Sequence, residues 1–412
     1  MGTEDRLYAA IQNYFYELTT SGSVVTSAGG LNSYIGNVSM TQDSDQVMIV
    51  DGVNGYVFKK TTSTLSQIGT GGFPNGARTC TFVSGCFVAE QPGTQKFWVS
   101  APFDATSWDA LAFASATAYT DNIVAVDSLV GNLVLFGERS TEFWQNIGTT
   151  PMPFAPILSA TSEFGINAIW SRAHVGNSLV FLSQNPQGTS QVVMFQGYQP
   201  SVISTPDLDD IIAGFSTISD AVALSYVING HPMYQLTFPT ESRSFLYDVS
   251  TGIWSEVQSG LSTTYAQRHR AQFSTTCGNQ ALLTDYASSA CYVPDETVYT
   301  DAGTQVLREL VTRHASSDYN VISLAELYLD METGVGDATT TAPVVSIECS
   351  KDNGRTWSNP RLVPMGAQGQ YKTRVVARRF GSSRDFVFRF RMTDPVKFVV
   401  NEGAVVLAER QQ

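Results

Sequence analysis

The stretch L-V-L-F-G-E-R-S-T-E-F-W-Q, residues 133–145, has the pattern of two short strands joined by a tight turn. An apolar run starts at Leu133, an aromatic run starts at Glu142, and polar residues separate the two. Short β-branched and aromatic runs with polar residues between them are typical of antiparallel strand pairs. The stretch therefore predicts a β-hairpin.

The same hairpin pattern recurs along most of the chain. Apolar runs begin at residues 7, 47, 86, 133, 179, 233 and 281, and partner runs begin at 56, 97, 142, 192, 245 and 290. The first runs are 40, 39, 47, 46, 54 and 48 residues apart. A repeat near 45 residues with few helix signals is typical of propeller blades. We expect an all-β chain whose residues 1–304 form a β-propeller of six or seven blades. From the residues alone, two ordinary β-sandwiches remain the alternative.

From about residue 320 the pattern changes to longer alternating strands. Residues 327–332 alternate apolar with polar side chains, and in residues 385–392 Phe and Met alternate with Val387, Arg389 and Arg391. Such alternation predicts strands with one face in a core and one polar face. We therefore expect a C-terminal β-rich, sandwich-like domain over residues 305–412, with arginines on its outer face.

Composition limits the class of protein. The chain has 412 residues, 43% of them hydrophobic and 15% charged, as in a globular protein. No run approaches the eighteen apolar residues of a membrane span, and the N-terminal residues lack an apolar stretch of signal-peptide length, so we expect no membrane span and no secretory export. The five cysteines are scattered, which fits a reducing compartment.

The net charge of −13 is distributed unevenly. Residues 350–412 contain twelve Lys/Arg and five Asp/Glu, a net charge of +7, so the remainder carries −20. This asymmetry predicts a polar chain end that docks onto an acidic surface; a solvated sheet face explains it equally well.

One motif suggests chemistry. The stretch S-K-D-N-G-R-T-W, residues 350–357, has the Asp-box pattern of sialidase propellers. Its expected role is a structural turn, in which Asp352 accepts turn N–H groups, Gly354 supplies a positive φ and Trp357 packs under the hairpin. The box occurs once, whereas sialidases repeat it and also need an arginine cluster, a tyrosine nucleophile and an acid.

No other motif indicates catalysis. Gly71 and Gly76 have phosphate-loop spacing but lack the following lysine, and the four histidines stand in no ligand pattern. Residues 207–210, D-L-D-D, have the chemistry to bind a hard cation, but the start of a charged loop is the favoured interpretation. We expect no catalytic residue, no metal and no cofactor.

Several stretches together resemble the packaged-DNA stabilisation proteins of short-tailed bacteriophages, the tail hub or nozzle family. They include F-D-A-T-S-W-D-A-L-A-F-A-S-A, G-N-L-V-L-F-G-E-R-S-T-E-F-W, N-G-H-P-M-Y-Q-L-T-F-P and L-Y-D-V-S-T-G-I-W, and later S-K-D-N-G-R-T-W followed by the arginine-rich residues 371–396. The resemblance runs collinearly over roughly residues 30–400. In that family the Asp-box hairpin precedes the arginine-rich strands as a fixed part of the C-terminal region.

The resemblance implies a virion protein of the phage tail, assembled in the cytoplasm of the host bacterium. It implies a ring, expected to be a homohexamer, that lies below the head-to-tail adaptor and meets other tail proteins such as a needle, fibre or spike. The ring would retain packaged DNA and pass double-stranded DNA without sequence specificity. A body of negative charge suits such a channel, because it repels phosphates.

The arginine-rich end supplies the expected contacts between subunits or with an acidic neighbour. The candidate interface residues are Arg374, Arg378, Arg379, Arg384, Asp385, Arg389, Arg391 and Asp394. Two alternatives from other classes remain: a carbohydrate-binding or sialidase-like propeller acting on host surface glycans, and a protein-binding propeller outside any phage context.

Overall fold

The computed structural model describes residues 6–32, 36–69, 71–184, 188–261, 267–317 and 320–407. The chain divides into two compact units. We call Met1–Val257 with Arg270–Pro294 the propeller unit, and Gln258–His269 with Asp295–Gln412 the sandwich unit.

Seven small antiparallel sheets follow one another within the described part of the propeller unit. The first three sheets, in chain order, contain β1 (Arg6–Ile11), β2 (Tyr14–Thr19) and β3 (Val24–Ser27); β4 (Ser39–Gln42), β5 (Gln46–Val50), β6 (Gly55–Lys59) and β7 (Thr64–Gln67); and β8 (Cys80–Val83), β9 (Cys86–Glu90), β10 (Lys96–Ala101) and β11 (Asp104–Ser115).

The next four sheets contain β12 (Ile123–Leu129), β13 (Asn132–Gly137), β14 (Thr141–Asn146) and β15 (Phe154–Pro156); β16 (Gly165–Ile166), β17 (Ala173–Val175), β18 (Ser178–Gln184), β19 (Ser190–Gln196) and β20 (Gln199–Val202); β21 (Val222–Ile228), β22 (His231–Phe238), β23 (Arg243–Asp248) and β24 (Ile253–Glu256); and β25 (Ala271–Cys277), β26 (Gln280–Asp285) and β27 (Cys291–Tyr292). A 3₁₀ turn occupies Leu158–Ala160, and helix α1 occupies Pro206–Ala213.

Five of the six predicted strand pairs are the central pairs of their sheets; the sixth is β26 with the edge strand β27, and the predicted run at residue 7 is the edge strand β1. The quoted stretch forms β13 and β14, in which Leu133 lies opposite Trp144. Both strands are buried along most of their length, as are the corresponding pairs in the second, third and fifth sheets. Most outer strands were not predicted, because strands such as β7 and β20 are polar and exposed.

Each sheet of the propeller unit packs against the next one in the sequence. Six apolar clusters join the consecutive pairs; in the cluster between the fourth and fifth sheets, Phe136 and Phe143 of one contact Phe181 and Phe195 of the other. Burying one phenylalanine side chain is worth about 1.5–3 kcal/mol. This sequential packing is the arrangement that the 45-residue repeat predicted.

Residues 207–210 are a correction to the sequence analysis. They lie in helix α1 and not at the start of a loop. Thr205 caps the helix by accepting a hydrogen bond from the Leu208 N–H, Pro206 occupies the first turn, and Leu208 and Ile212 are buried. Threonine before proline is a standard helix start, so the signal was present in the sequence.

The sandwich unit contains, in chain order, β28 (Thr300–Asp301), β29 (Thr304–Gln305), β30 (Arg308–Val311), β31 (Ala315–Ser316), β32 (Ile322–Met331), β33 (Val344–Ser350), β34 (Arg361–Pro364), β35 (Val375–Ser383), β36 (Asp385–Met392) and β37 (Val400–Leu407). One sheet has the order β30-β36-β33-β34, with β31 also paired to β36, and the other has the order β35-β32-β37. A single apolar cluster lies between the two sheets.

The predicted alternation in the sandwich unit is confirmed. Leu327, Leu329 and Met331 of β32 are buried in the cluster between the sheets. The phenylalanines and Met392 of β36 are buried in the same cluster, whereas Arg389 and Arg391 lie on the opposite face of that strand. The period-two pattern thus placed both strands correctly.

Candidate functional site

The Asp-box hairpin follows directly after β33. The Asp352 carboxylate accepts hydrogen bonds from the Thr356 N–H at 2.8 Å and from the Thr356 hydroxyl at 2.5 Å. These bonds lower the pKa of Asp352 to about 2. Gly354 has a φ of +81°, as predicted, and its N–H donates to the Ser350 hydroxyl at 2.8 Å. The polar groups of Ser350, Asp352 and Thr356 are thus used to close the turn.

Trp357 connects this hairpin to the arginine-rich strand β36. The Arg389 guanidinium lies over the Trp357 ring, 4.1 Å from its centre. A cation over an indole face is an attractive contact. The arginine therefore covers the tryptophan of the Asp box, which leaves neither group directed at a ligand.

Arg389 and Arg391 belong to an internal ion network on the outer face of the five-stranded sheet. The Arg389 Nε donates to Glu348 Oε2 at 2.6 Å, and Arg391 donates to Glu309. The cross pairs are longer, at 4.0 Å for Arg389 with Glu309 and 3.6 Å for Arg391 with Glu348. The Arg389 side chain is only 14% exposed. The network holds β30, β36 and β33 together from their outer side.

Arg378 occupies a different environment on the other sheet. Its side chain is 63% exposed, and its Nε donates to Glu326 Oε1 at 2.6 Å. The Tyr328 hydroxyl donates to the other Glu326 oxygen, and both bonds lower the pKa of Glu326. Ion pairs this exposed contribute little to stability, so Arg378 has little structural role.

Arg374, Arg379 and Arg384 are exposed. Arg379 has a φ of +66° and lies where the pairing of β35 with β32 shifts register, so its backbone forms a bulge. Bulges at sheet edges re-aim side chains. Together with Arg378, these three arginines are the predicted interface residues that the structure leaves on the surface.

The two predicted interface aspartates have partners inside the sandwich unit. Asp385 Oδ2 lies 2.6 Å from His314 Nδ1. Asp394 Oδ2 accepts the Val344 N–H at 2.9 Å, and its backbone oxygen accepts from Arg308. Whether any of the eight predicted residues contacts another chain stays a prediction; what the structure adds is their division into exposed and internally paired groups.

The carboxylate partners Glu309, Glu326 and Glu348 were missed by the sequence analysis. All three lie before residue 350, outside the segment in which the positive charge was counted. Residues 305–412 as a whole contain 14 Lys/Arg and 12 Asp/Glu, a net charge of +2, against −15 for residues 1–304. Much of the basic excess of the chain end is therefore opposed within its own unit.

The propeller unit holds its acids in two ways: Asp127 pairs with Arg172 at 2.9 Å, whereas Glu90 is held mainly by hydrogen bonds from neutral groups. Glu90 is fully buried; its carboxylate accepts the backbone N–H groups of Arg78 and Thr79 and the Thr79 hydroxyl, at 2.7–3.1 Å. The Thr79 hydroxyl oxygen in turn accepts a hydrogen bond from the Val126 N–H of β12. Burial raises the pKa of Glu90 to about 6. Glu90 thus fixes the junction between the third and fourth sheets.

The surface of the described residues offers little for a small ligand. A shallow groove of about 380 Å³ in the sandwich unit is lined by Tyr328, Val363, Pro364, Thr373, Arg374, Val376 and Arg378. No group of three His, Cys, Asp or Glu is placed to hold a metal within the described ranges. Nor do those ranges contain a helix of the length and apolarity needed to cross a membrane.

Consecutively packed sheets followed in the sequence by a sandwich define an all-β protein with a propeller region and a C-terminal sandwich. The chain belongs to the family of Bacteriophage P22 Gp10: the Bacteriophage P22 Gp10 beta-propeller family matches residues 2–299, and the Bacteriophage P22 Gp10 beta-sandwich family matches residues 307–407. It is therefore a phage stabilisation protein and a structural component of the virion, which implies a non-enzymatic role. The expected fold class and the family resemblance are confirmed.

Several solved structures resemble the chain at low sequence identity. Dihydro-heme d1 dehydrogenase NirN in complex with DHE is 9% identical with a TM-score of 0.45, over 92% of this chain and 74% of that one. BamB from Moraxella catarrhalis is 10% identical with a TM-score of 0.40, over 71% and 94%. The computationally designed Ika8 protein is 13% identical with a TM-score of 0.42, over 71% and 81%. No curated protein sequence matches the chain.

Proposed function

We propose that this chain is the subunit of a tail hub or nozzle ring, expected to be a homohexamer, that extends the head-to-tail channel below the portal adaptor. In this role it helps to retain packaged DNA and forms the conduit for genome ejection. The observation that carries the proposal is that both units match a single phage stabilisation family, over nearly the whole chain.

The charge distribution supports a role as a conduit. Residues 1–304 contain ten Lys/Arg and 25 Asp/Glu. A wall of this charge repels the phosphates of DNA, so double-stranded DNA slides past it without sequence-specific binding. The proposed partners are further copies of the chain, the adaptor, and a needle, fibre or spike protein of the tail.

The exposed arginines of the sandwich unit are the proposed contacts with an acidic neighbour. Arg374, Arg379 and Arg384 are exposed, whereas Arg389 and Arg391 are held in the internal network. A test of docking should therefore change only the exposed group, because reversal of Arg389 also disrupts the sandwich.

The test compares an Arg374→Glu/Arg379→Glu variant with a Lys59→Glu/Arg139→Glu control, which reverses two equally exposed charges on the propeller unit. We expect wild type and control to form defined rings on purified adaptor, measured by light scattering, and to enter virions. The variant should remain folded but fail to dock. Normal incorporation of the variant would refute the docking role of these arginines, and absence of any adaptor-bound ring with wild type would refute the hub.

A further inference from the structure

One side of the sandwich unit is open. Strands β34 and β35 contact each other at one side, so the edge strands β30 and β37 lie at the other. Leu310 of β30 pairs with Phe390, and on β37 Val405 pairs with Leu327 and Leu407 with Leu324. Because paired residues share a face of the sheet, all three side chains lie on the core-facing side.

These three core-facing side chains are nevertheless uncovered. Leu310 is 43% exposed, and Leu407 is 52% exposed. The partners Phe390, Leu327 and Leu324 are buried. Exposed apolar residues on edge strands mark a surface that another chain covers. We call Leu310, Val405 and Leu407 the open side.

The propeller unit carries a second uncovered apolar surface, formed by strand ends and hairpin turns of its third, fourth and fifth sheets. Phe103 follows β10, Val130 follows β12, Ile147 follows β14 and Tyr198 follows β19; Phe103 is 66% exposed and Val130 is 69% exposed. In a meander, the first and third turns lie at the same end of the sheet. We call these four residues the tip platform.

Hydrogen bonds between neighbouring sheets hold the tip platform together. The Ser84 hydroxyl donates to the Gly131 oxygen at 3.2 Å, the Asn146 side chain donates to the Ser84 oxygen at 3.4 Å, and the Asn132 side chain donates to the Tyr198 hydroxyl at 3.0 Å. The platform is therefore a continuous, pre-arranged surface across three sheets.

Two of the platform residues have strained backbones. Phe103 has a φ of +55° and Val130 a φ of +48°. Bulky and β-branched side chains rarely adopt this left-handed conformation, and a turn that needs it normally carries glycine or asparagine. Phe103 packs against Phe82, with ring centroids 6.2 Å apart, yet it is 66% exposed. A large apolar residue left mostly exposed at a strained backbone position points to a contact outside the chain.

The distribution of charge favours a further copy of the chain as the occupant of this surface. The tip residues 84–85, 102–103, 130–132, 146–148 and 197–198 contain no formally charged side chain, in a region of net charge −15. Copies of this region repel each other at their charged surfaces. An uncharged apolar platform is where a further copy can approach, and the open side is an apolar surface of the same chain that requires cover.

We propose that the tip platform of one copy packs against the open side of the sandwich unit in the next copy. Two different surfaces on one chain produce head-to-tail contacts, which close into a ring when the rotation permits. The inference names the contact within the proposed ring and in that respect rests on the proposed function.

The test uses the full-length chain and three double variants: Phe103→Asp/Val130→Asp on the platform, Val405→Asp/Leu407→Asp on the open side, and Val53→Asp/Leu158→Asp as an exposed apolar control. Sedimentation over a concentration series measures self-association. We expect either surface variant to weaken association at least tenfold and the control to behave as wild type. A Phe103→Gly/Val130→Gly variant should lose association without a fall in thermal midpoint, which separates lost contact from misfolding.

Mixing the two surface variants tests the pairing itself. The platform variant retains an intact open side and the open-side variant an intact platform, so the mixture should form one-to-one complexes but no rings. Undiminished association of either variant, or a mixture that remains monomeric, would overturn the inference. If the platform variant self-associates like wild type but loses binding to glycans, the inference is also overturned.

The same samples distinguish this contact from the hub proposal. If both surface variants form the same adaptor-bound rings as wild type, the hub proposal stands and the proposed contact is refuted. If copies associate through these surfaces but form no complex with adaptor, the proposed contact is confirmed and the hub proposal is refuted.

Discussion

Two buried carboxylates, Glu90 of the propeller unit and Glu348 of the sandwich unit, are stabilised by different means. In the propeller unit, Glu90 is stabilised by backbone N–H groups and a hydroxyl, with the Arg78 Nε no closer than 3.9 Å. In the sandwich unit, Glu348 and Glu309 are stabilised by Arg389 and Arg391. A count of charge along the sequence does not distinguish the two acids. Removing the groups that stabilise each of them should nevertheless change the free energy of unfolding differently.

The largest expected effect breaks the ion network of the sandwich. Arg389→Ala leaves Glu348 buried without its closest cation and uncovers Trp357, so we expect a loss of about 3 kcal/mol in the free energy of unfolding of this unit. Arg378→Ala, which removes an exposed pair, should lower the free energy of unfolding far less than Arg389→Ala does. Urea unfolding followed by tryptophan fluorescence measures both. Equal losses in the two variants would contradict the distinction.

The next prediction tests the buried acid of the propeller. Burial raises the pKa of Glu90 to about 6 in the folded chain, against an ordinary value of 4.5. The folded state therefore keeps the Glu90 proton longer than the unfolded state, so this group lowers stability as pH rises from about 4.5 to about 6, by roughly 2 kcal/mol in all.

Glu90→Gln removes that titration. The free energy of unfolding of the variant should decrease less than that of wild type between pH 4.5 and 6.5, whatever the offset between the two proteins at a single pH. Glu138→Gln, at an exposed position, is the control and should keep the wild-type slope. Parallel curves for wild type and Glu90→Gln would rule out the raised pKa.

A smaller effect is expected at the strained platform. Val130→Gly relieves a left-handed valine but increases the entropy of the unfolded chain, and the balance should be a gain of up to about 1 kcal/mol. Gly131→Ala, at a φ of +78°, should instead destabilise by a similar amount. Thermal unfolding checks the opposite signs; destabilisation by Val130→Gly would show that the valine packs inside its own chain.

The smallest effect concerns the Asp box. The pKa of Asp352 is depressed to about 2, so its contribution is present above its ordinary value near 3.8 and is lost as pH falls through about 2. Asp352→Ala should speed amide exchange at Thr356 and leave the global midpoint nearly unchanged. Hydrogen exchange by mass spectrometry provides the measurement, with Asp337→Ala in a distant turn as control. A loss of global stability would mean that the hairpin nucleates the sandwich.

What the sequence predicted depends on how local the signal is. The buried strand pairs, the alternation in β32 and β36 and the turn at Gly354 are recorded in consecutive residues. The outer strands are held by backbone pairing with their neighbours, and their polar side chains give no apolar run. The partner of Arg391 could not be predicted, because Glu309 lies 82 residues away and meets it only through strand pairing.

The sheet-by-sheet packing has a consequence for synthesis of the chain. Each sheet of the propeller unit is covered by the one that leaves the ribosome next, so most of its contacts are local and folding can advance with translation. The sandwich unit cannot fold in this way. Strand β30 pairs with β36, and Arg308 donates to the backbone oxygen of Val396, 88 positions later. Synthesis of β36 and of the residues after it is therefore the event that sets when a subunit first presents the surfaces of its sandwich unit.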